Sequence, residues 1–247
     1  MNQVKRPLII GHRGAAGEAP ENTLASFELA LKQGADGIEL DVHLTQDGQI
    51  VVCHDPTLNR TTNGTGYIVQ QSLESIQQLD AGAWFGDAFR GERVPTLREV
   101  FEAVPEGKLI NVEVKHAYEG RMEHVLLSFL RRSGRMQDVV VSSFDHKCIK
   151  RLKVSEPELQ VGLLYAANLI DHSAYAELLG VEVYSLHPHY EGIGASDIKL
   201  AVEKGLHVYP YTVNREEEYR RLIEAGVSGI ITDFPARLAD VIGSRHT

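Results

Sequence analysis

The sequence predicts an α/β fold, namely a (β/α)8 TIM barrel with a small insertion after the second strand. Short apolar runs of strand length alternate with amphipathic segments of helix length, and eight such pairs fill about 240 residues, which is the pattern of this barrel. A doubly wound open sheet would have fewer strands and often a glycine-rich nucleotide motif after the first one. Gly11-His12-Arg13-Gly14 lacks that glycine spacing, so the barrel is favoured and residues 1–247 are expected to form one domain.

The first half of the chain departs from the regular alternation because it contains a hairpin. Asp47-Gly48 is a strong turn signal between two apolar runs. The returning run at 49–53 is predicted to rise above the rim without becoming a barrel strand, and the insertion is placed at about 55–95. Asn22 is a plausible N-cap and Gly34 a C-terminal stop of the first helix. Strands are predicted at 7–11, 37–42 and 108–115, and helices at about 21–33, 95–104 and 121–132.

The second half alternates regularly between short apolar runs and amphipathic segments, as sequential βα units do. Active sites of such barrels lie at the carboxyl ends of the strands, and polar or titratable residues collect at the predicted strand ends. Strands are predicted at 138–142, 159–165, 181–186, 206–211 and 228–232, and helices at 145–154, 171–179, 195–204, 215–225 and 235–242.

Composition excludes several classes of function. A net charge of −9 argues against a nucleic-acid surface, which needs a basic stripe. The apolar run near the N-terminus is too short for a signal peptide, and no stretch approaches the ~18 apolar residues of a membrane-spanning helix. Two cysteines are too few for a disulfide framework. We therefore expect a reduced, cytoplasmic protein without stable membrane association, for which a homo-oligomer stays open.

Three acids are predicted to point into one mouth. Glu39 and Asp41 share one face of the second strand because they are two residues apart, and Glu113 ends the neighbouring strand. Like charges in a concave site are costly, and oxygen ligands suit a hard cation such as Mg²⁺ or Ca²⁺. The alternative is that a basic side chain neutralises each acid, as Lys115 does if it pairs with Glu113. For three acids at one rim, a single divalent cation is favoured.

Two histidines are expected beside this site. His12 follows the first strand, and the hairpin returns His54 to the level of Asp41. An ordinary imidazole pKa suits a general acid/base pair. Arg13 and Lys115 offer cations to a phosphate group. Asp55 either orients His54 or caps the turn at Pro56.

Other aromatic and histidine residues receive weaker expectations. His187 precedes Pro188 at a strand end and is expected to line the mouth as a substrate-binding residue. His43 is expected to face away from the acids. Trp84-Phe85 either forms a lid or packs the insertion onto the barrel. The remaining histidines considered are expected to be solvated on loops or helix faces: His116, His124, His146 and His172.

Several spaced motifs together resemble the glycerophosphodiester phosphodiesterase family, and the resemblance covers nearly the whole chain. The motifs are Gly11-His12-Arg13-Gly14, Pro20-Glu21-Asn22-Thr23, Glu39-Leu40-Asp41-Val42, Asp47-Gly48, His54-Asp55, Glu113-Val114-Lys115, Ser143-Phe144 and Thr232-Asp233-Phe234-Pro235.

This resemblance implies a metal held by Glu39, Asp41 and Glu113, with His12 and His54 as the acid/base pair. It implies hydrolysis of a small glycerophosphodiester to sn-glycerol 3-phosphate and an alcohol. For this reaction, His12 is our expected first base and His54 our expected first acid. The family commonly has Trp where this chain has Tyr211, which keeps an aromatic wall and leaves the alcohol preference open. The alternatives are a related phosphodiesterase acting on lysophospholipids or phosphoinositides, and a barrel that binds without catalysis.

Overall fold

The computed structural model describes residues 6–243, and within them the chain forms a parallel barrel with helices outside. Two short stretches of the expected single domain lie outside the described residues, namely 1–5 and 244–247. The first of them is part of the N-terminal run that was considered as a signal peptide. The strands are β1 Leu8–Gly11, β2 Gly37–Leu44, β3 Ile50–Val52, β4 Leu109–Val114, β5 Val139–Ser143, β6 Gln160–Tyr165, β7 Ser185–Pro188, β8 His207–Val208 and β9 Gly229–Thr232.

The helices cover the outside of the barrel. Acidic or hydroxyl side chains begin several of them, as at α3, where Thr96 and Glu99 form a capping box that satisfies two free backbone N–H groups. The α-helices are α1 Leu24–Lys32, α2 Leu73–Ile76, α3 Leu97–Ala103, α4 Arg121–Ser133, α5 His146–Ser155, α6 His172–Glu177, α7 Ala195–Glu203, α8 Glu216–Ala225 and α9 Pro235–Gly243.

The strand order confirms the predicted barrel. Neighbouring parallel strands run β8-β7-β6-β5-β4-β2-β1-β9. The seam between β8 and β9 is joined by backbone hydrogen bonds, in which the Ser228 N–H donates to the Val208 carbonyl at 3.1 Å and the Ile231 N–H donates to the Pro210 carbonyl at 3.0 Å. The carboxyl ends of the strands therefore meet at one rim, where side chains from distant parts of the chain come together.

The hairpin has the predicted geometry. β3 pairs with β2 and is antiparallel to it, with Val42 opposite Val52. The segment that follows has few regular elements and packs a small core of its own against the face of the hairpin that carries His43. That core is Val51, Cys53, Leu58, Ile68, Ile76, Ala81 and Val94.

Alternation along β2 separates the main core from the barrel interior. Ile38, Leu40 and Val42 are fully buried in the layer between strands and helices, so Glu39 and Asp41 lie on the opposite face. Packing of the apolar face against the helices thus fixes the register of the two acids, because a slip by one residue would exchange the faces.

Three boundaries differ from the sequence prediction. Thr23, not Asn22, is the N-cap of α1 and accepts a hydrogen bond from the Ser26 N–H. β8 ends at Val208, well before the predicted residue 211, because Pro210 has no N–H to continue the ladder. β7 begins at Ser185, four residues after the predicted start.

The helices within residues 6–243 include no span that is both long enough and apolar enough to cross a lipid bilayer.

Candidate active site

Three carboxylates meet at the rim, as predicted. Asp41 on β2 stands opposite Glu113 on β4 in the parallel register, and Glu39 lies one pleat below on the same face. All three residues are buried, and one oxygen of each lies within 4.8 Å of the others. We refer to Glu39, Asp41 and Glu113 as the acid cluster.

The acid cluster is electrostatically strained. Burial, reinforced by the charges of Asp41 and Glu113, raises the pKa of Glu39 well above its ordinary range. Burial and Asp41 likewise raise the pKa of Glu113 to about 7. Burial also acts to raise the pKa of Asp41, but Arg13 and Lys115 outweigh it and hold that pKa below its usual value. A bound divalent cation would relieve this repulsion, and the all-oxygen donor set fits a hard ion.

Two cations border the acid cluster. The Lys115 Nζ donates to Glu113 Oε1 at 2.6 Å and lies 3.4 Å from Asp41 Oδ1. The Arg13 backbone N–H donates to Glu39 Oε2 at 2.9 Å, and its Nε lies 3.3 Å from Asp41 Oδ2. Pairing with basic side chains and binding of a divalent cation are therefore compatible, because three carboxylates face two monovalent cations and negative charge remains.

Arg13 has an unused hydrogen-bond donor. Its Nη1 donates to Glu21 at 2.7 Å, but its buried Nε forms no hydrogen bond within the described residues. The residue adopts φ +51°, a left-handed conformation that is uncommon outside glycine and often marks a functional site. A buried donor without a partner has a desolvation cost, so this N–H is suited to an incoming oxygen.

His12 forms a carboxylate–imidazole pair with a residue from the other end of the chain. Its Nδ1–H donates to Asp233 Oδ1 at 2.6 Å, at the end of β9. The second carboxylate oxygen accepts from the Asn214 side-chain amide at 2.6 Å. With Nδ1 committed to Asp233, the Nε2 atom of His12 is the one left for chemistry.

His54 forms the second pair. Its Nδ1–H donates to Asp55 Oδ1 at 2.8 Å, so Asp55 orients the imidazole, which was one of the two readings of this residue. Burial lowers the pKa of His54. The Asp55 carboxylate also accepts hydrogen bonds from Arg60 at 2.9 and 3.0 Å.

The expectation for His43 is wrong. The side chain is fully buried, its Nε2–H donates to the backbone carbonyl of His54 at 3.2 Å, and its Nδ1 accepts from the Tyr118 hydroxyl at 2.6 Å. Burial lowers the pKa of His43 to about 4. The spacing 39, 41, 43 places these residues on one face of a strand, and that signal was available in the sequence.

Asn22 has a role that the cap prediction missed. It adopts φ +59°, and its side-chain amide donates to Asp41 Oδ2 at 2.9 Å while its carbonyl oxygen accepts from the Asp41 N–H at 3.3 Å. The loop after β1 therefore braces an acid on β2.

His187 does not line the mouth in this structure. Its side chain has no exposed surface and packs beside Gly162, where an added Cβ would lie 2.4 Å from Nε2. The Ser185 hydroxyl lies 2.8 Å from the same atom. Because β7 starts later than predicted, His187 is its third residue and belongs to the barrel interior.

Tyr211 does reach the rim. Its hydroxyl donates to the Tyr165 carbonyl at 3.3 Å, and its ring meets Phe144 edge-on at 6.0 Å between centroids. The half-exposed Phe144 and the ring of Tyr211 form an aromatic wall at the ends of the strands that follow β4.

The other histidines divide into exposed and buried groups. His124 is exposed, as expected. His172 is buried and its Nδ1 lies 2.8 Å from the Tyr165 hydroxyl, so it is not solvated. In the insertion, the indole N–H of the partly exposed Trp84 donates to the Ala81 carbonyl at 2.8 Å.

Comparison with known proteins identifies the family. The model of the Glycerophosphoryl diester phosphodiesterase family matches residues 12–237. A glycerophosphodiester phosphodiesterase of Caldanaerobacter subterraneus subsp. tengcongensis is 44% identical over 96% of this chain and 98% of its own length. One from Bacillus subtilis is 34% identical over 93% of this chain and 84% of its own length.

Solved structures give the same result. The phosphodiesterase of Oleispira antarctica, in complex with the product sn-glycerol-3-phosphate, superposes with a TM-score of 0.89 at 32% identity, covering 96% of this chain and 97% of that one. The predicted resemblance is thus confirmed: the chain belongs to the glycerophosphoryl diester phosphodiesterase family and is an enzyme of that family.

Proposed function

We propose that this protein hydrolyses small glycerophosphodiesters to sn-glycerol 3-phosphate and an alcohol, with one divalent cation and with His12 and His54 as its acid/base pair. Family membership supports the reaction class. The observation that carries the proposal is the placement of two carboxylate-paired imidazoles at the rim that holds the acid cluster.

The acid cluster is the proposed cation site. Glu39, Asp41 and Glu113 supply oxygen ligands only, which favours Mg²⁺ or Ca²⁺ over softer metals. When bound, such a cation lowers the pKa of a coordinated hydroxyl and neutralises negative charge on a phosphate.

Arg13 and Lys115 are the proposed phosphate ligands. The Nε–H of Arg13, which lies 3.3 Å from Asp41 Oδ2 without a hydrogen bond within the described residues, offers a donor to a phosphate oxygen. The Lys115 ammonium is partly exposed at the rim, and its three N–H groups exceed its two carboxylate contacts. Both groups would stabilise charge that grows on phosphate oxygens in the transition state.

The partners of the two carboxylates suggest how protons are distributed at rest. Asp233 takes its second hydrogen bond from the neutral Asn214, so its carboxylate charge stays available to orient the imidazole of His12. Asp55 shares its charge with Arg60, and burial lowers the pKa of His54. His54 is therefore the proposed first base and His12 the first acid, the reverse of the assignment expected from sequence.

The proton transfers then balance. A glycerol hydroxyl gives its proton to Nε2 of His54 as its oxygen bonds to phosphorus, and the departing alcohol takes a proton from Nε2 of His12. Water opens the resulting cyclic phosphate with its proton passing to His12. His54 returns its proton to the glycerol oxygen that leaves phosphorus, and both histidines regain their starting states.

The test is a substrate panel in which every phosphate-containing product is separated and quantified, because glycerol 3-phosphate forms only from the unacylated diesters and the lipids leave an acylated product. Water-soluble glycerophosphocholine and glycerophosphoethanolamine are compared with micellar lysophosphatidylcholine and a phosphoinositide, before chelation, after chelation, and with Mg²⁺ or Ca²⁺ restored. We expect the soluble diesters to be preferred and activity to require the cation. Preference for the micellar substrates would favour the lipid alternative, and cation binding without turnover would favour a non-catalytic barrel.

Two matched variants test the cation site itself. Glu113→Gln is expected to weaken Mg²⁺ binding in titration calorimetry by at least about tenfold because it removes a charged ligand. Glu106→Gln, which alters an exposed acid, is expected to bind like the unmodified protein. Equal binding by both variants would contradict the assignment of the site.

The proposed location is the cytoplasm. Cys53 and Cys148 are both free and buried, and burial raises the pKa of the Cys53 thiol to about 12, which fits a compartment that keeps thiols reduced. Fractionation of cells that express the protein, with detection in the periplasmic and cytoplasmic fractions, tests this proposal.

A further inference from the structure

Arg60, in the insertion, makes four side-chain hydrogen bonds to two different carboxylates. Its Nε and Nη2 donate to Asp55 at 2.9 and 3.0 Å. Its Nη1 and Nη2 donate to Glu21, in the loop between β1 and α1, at 2.8 and 2.9 Å. The planar guanidinium has a fork for each carboxylate, a geometry that a lysine ammonium does not reproduce.

Each of these carboxylates also holds a residue of the active site. Glu21 accepts from Arg13 Nη1 at 2.7 Å, and Asp55 accepts from His54 Nδ1 at 2.8 Å. A continuous chain of alternating charge therefore runs Arg13–Glu21–Arg60–Asp55–His54. It joins two stretches of sequence that are 39 residues apart at Arg60 and Glu21.

Local structure does not require this arrangement. Side chains of Arg60 and Asp55 are 43% and 27% exposed, and partly exposed ion pairs contribute little to folding stability. The hydrogen bonds from Arg60 are nevertheless the largest influence that lowers the pKa of Asp55. The binding of one guanidinium to both carboxylates is better explained by the residues that these carboxylates orient, which are Arg13 and His54.

We propose that Arg60 is a positioning residue. It fixes the position of the proposed base His54, on the insertion side, relative to the phosphate ligand Arg13, on the barrel side. This inference rests on the proposed function. Its four side-chain hydrogen bonds go to Asp55 and Glu21, so Arg60 acts through these two carboxylates. Without it, the Asp55 carboxylate is free to rotate away from His54 Nδ1, and Glu21 holds Arg13 with one partner fewer.

Removal of Arg60 also changes the electrostatics of His54. The charged groups that face this imidazole are Asp55, Asp41, Arg13 and Lys115, while His43 contacts only its backbone carbonyl. Of these groups, Asp55 alone loses a neutralising partner when Arg60 is removed. The proton affinity of His54 is therefore expected to rise, in addition to any change in its orientation.

The experiment compares Arg60→Ala and Arg60→Lys with the control Arg90→Ala. Arg90 lies in the same insertion, is exposed and forms an ion pair with Asp87. The kcat and KM for a soluble glycerophosphodiester are measured at saturating divalent cation, with and without added methylguanidinium. NMR titration gives the pKa of His54, and thermal unfolding gives Tm.

We expect Arg60→Ala to lower kcat by about tenfold or more, because small misplacements of reacting groups have effects of this order. Its KM should change less, its Tm should match that of Arg90→Ala, and methylguanidinium should restore part of the rate. Arg60→Lys should be intermediate, because an ammonium engages the two carboxylates as a point charge. The pKa of His54 should rise in Arg60→Ala and stay unchanged in Arg90→Ala.

A kcat for Arg60→Ala within twofold of the unmodified protein, or a loss shared equally by Arg90→Ala, would overturn the proposal. Failure of the proposed function is distinguishable, because the unmodified protein would then release no glycerol 3-phosphate from any diester. In that case the NMR titration still decides the positioning claim, and an unchanged pKa and chemical shift of His54 in Arg60→Ala would refute it.

Discussion

The two histidines of the site are held in different ways by different parts of the molecule. His12 and its partner Asp233 come from the ends of neighbouring barrel strands, β1 and β9, which pair along four residues. His54 and its partner Asp55 come from a hairpin and an insertion outside the barrel, and Arg60 and His43 must hold them. One imidazole is placed by the fold itself, and the other by a set of added contacts.

This difference has a consequence for tolerance to mutation. Strand ends in a closed barrel have little freedom, because each is hydrogen-bonded on both sides and packed against helices. A segment beyond the hairpin depends on individual side-chain contacts for its position. We therefore expect the barrel histidine to depend chiefly on Asp233, and the hairpin histidine to depend on several contacts that each contribute less.

The largest effects should follow removal of either imidazole. His12→Ala and His54→Ala should each reduce turnover of a glycerophosphodiester by roughly 10²–10⁴-fold, with Tm close to that of the exposed control His124→Ala. Steady-state kinetics and circular dichroism measure both quantities. Near-normal turnover by either variant would show that this histidine is not one of the acid/base pair. The comparison between the two histidines would then no longer apply.

Asp233→Asn should be more harmful than Asp55→Asn. Asparagine at 233 keeps the size of the side chain but no longer stabilises an imidazolium at His12, so we expect a loss on the order of 10²-fold in kcat. At position 55 the charge is already shared with Arg60, and His43 still holds the His54 backbone, so the loss should be smaller. The reverse order in parallel kinetic assays would show that the hairpin side carries the more sensitive proton transfer.

The His43 contact predicts a smaller effect that depends on hydrogen bonding. His43→Gln retains a side-chain N–H that can donate to the His54 carbonyl, whereas His43→Phe fills similar space and donates nothing. We expect His43→Phe to lower kcat by about tenfold and His43→Gln to retain most of it, with KM changed little in both. Equal rates for the two variants, at equal Tm, would mean that His43 only fills space.

The sequence was sufficient for the barrel and the acid cluster because both follow from local regularities. Alternation along β2 assigns Glu39 and Asp41 to one face, and parallel strands bring Glu113 beside them. The same alternation applies to His43, which was assigned to the wrong face although its spacing from Asp41 is two residues. That error came from the reading of the pattern and not from missing information.

Other contacts were beyond sequence reasoning because they depend on distances across the fold. The pairing of His12 with Asp233 spans 221 positions and requires that β1 and β9 be neighbours, which holds only once the barrel is closed. Asp233 directly follows the strand predicted at 228–232, but no local pattern links it to His12. Arg60 lies in an irregular part of the insertion, where periodicity does not indicate which way a side chain points.

The last prediction concerns His187, which lies in the barrel interior. Its titration affects the free energy of unfolding of the barrel and does not involve the hairpin. Burial lowers its pKa from an ordinary 6.5 to about 3, so the folded protein keeps this imidazole neutral where the unfolded chain protonates it. Stability from this group is fully present above pH 6.5 and is lost as pH falls from 6.5 towards 3, by at most about 1.4 kcal/mol per pH unit. Urea unfolding at several pH values between 4.5 and 7.5 should therefore give a shallower pH dependence for His187→Gln than for the unmodified protein. The exposed control His124→Gln should follow the unmodified protein, and if His187→Gln does so as well, the barrel interior admits a charge at this position and is less dry than its packing indicates.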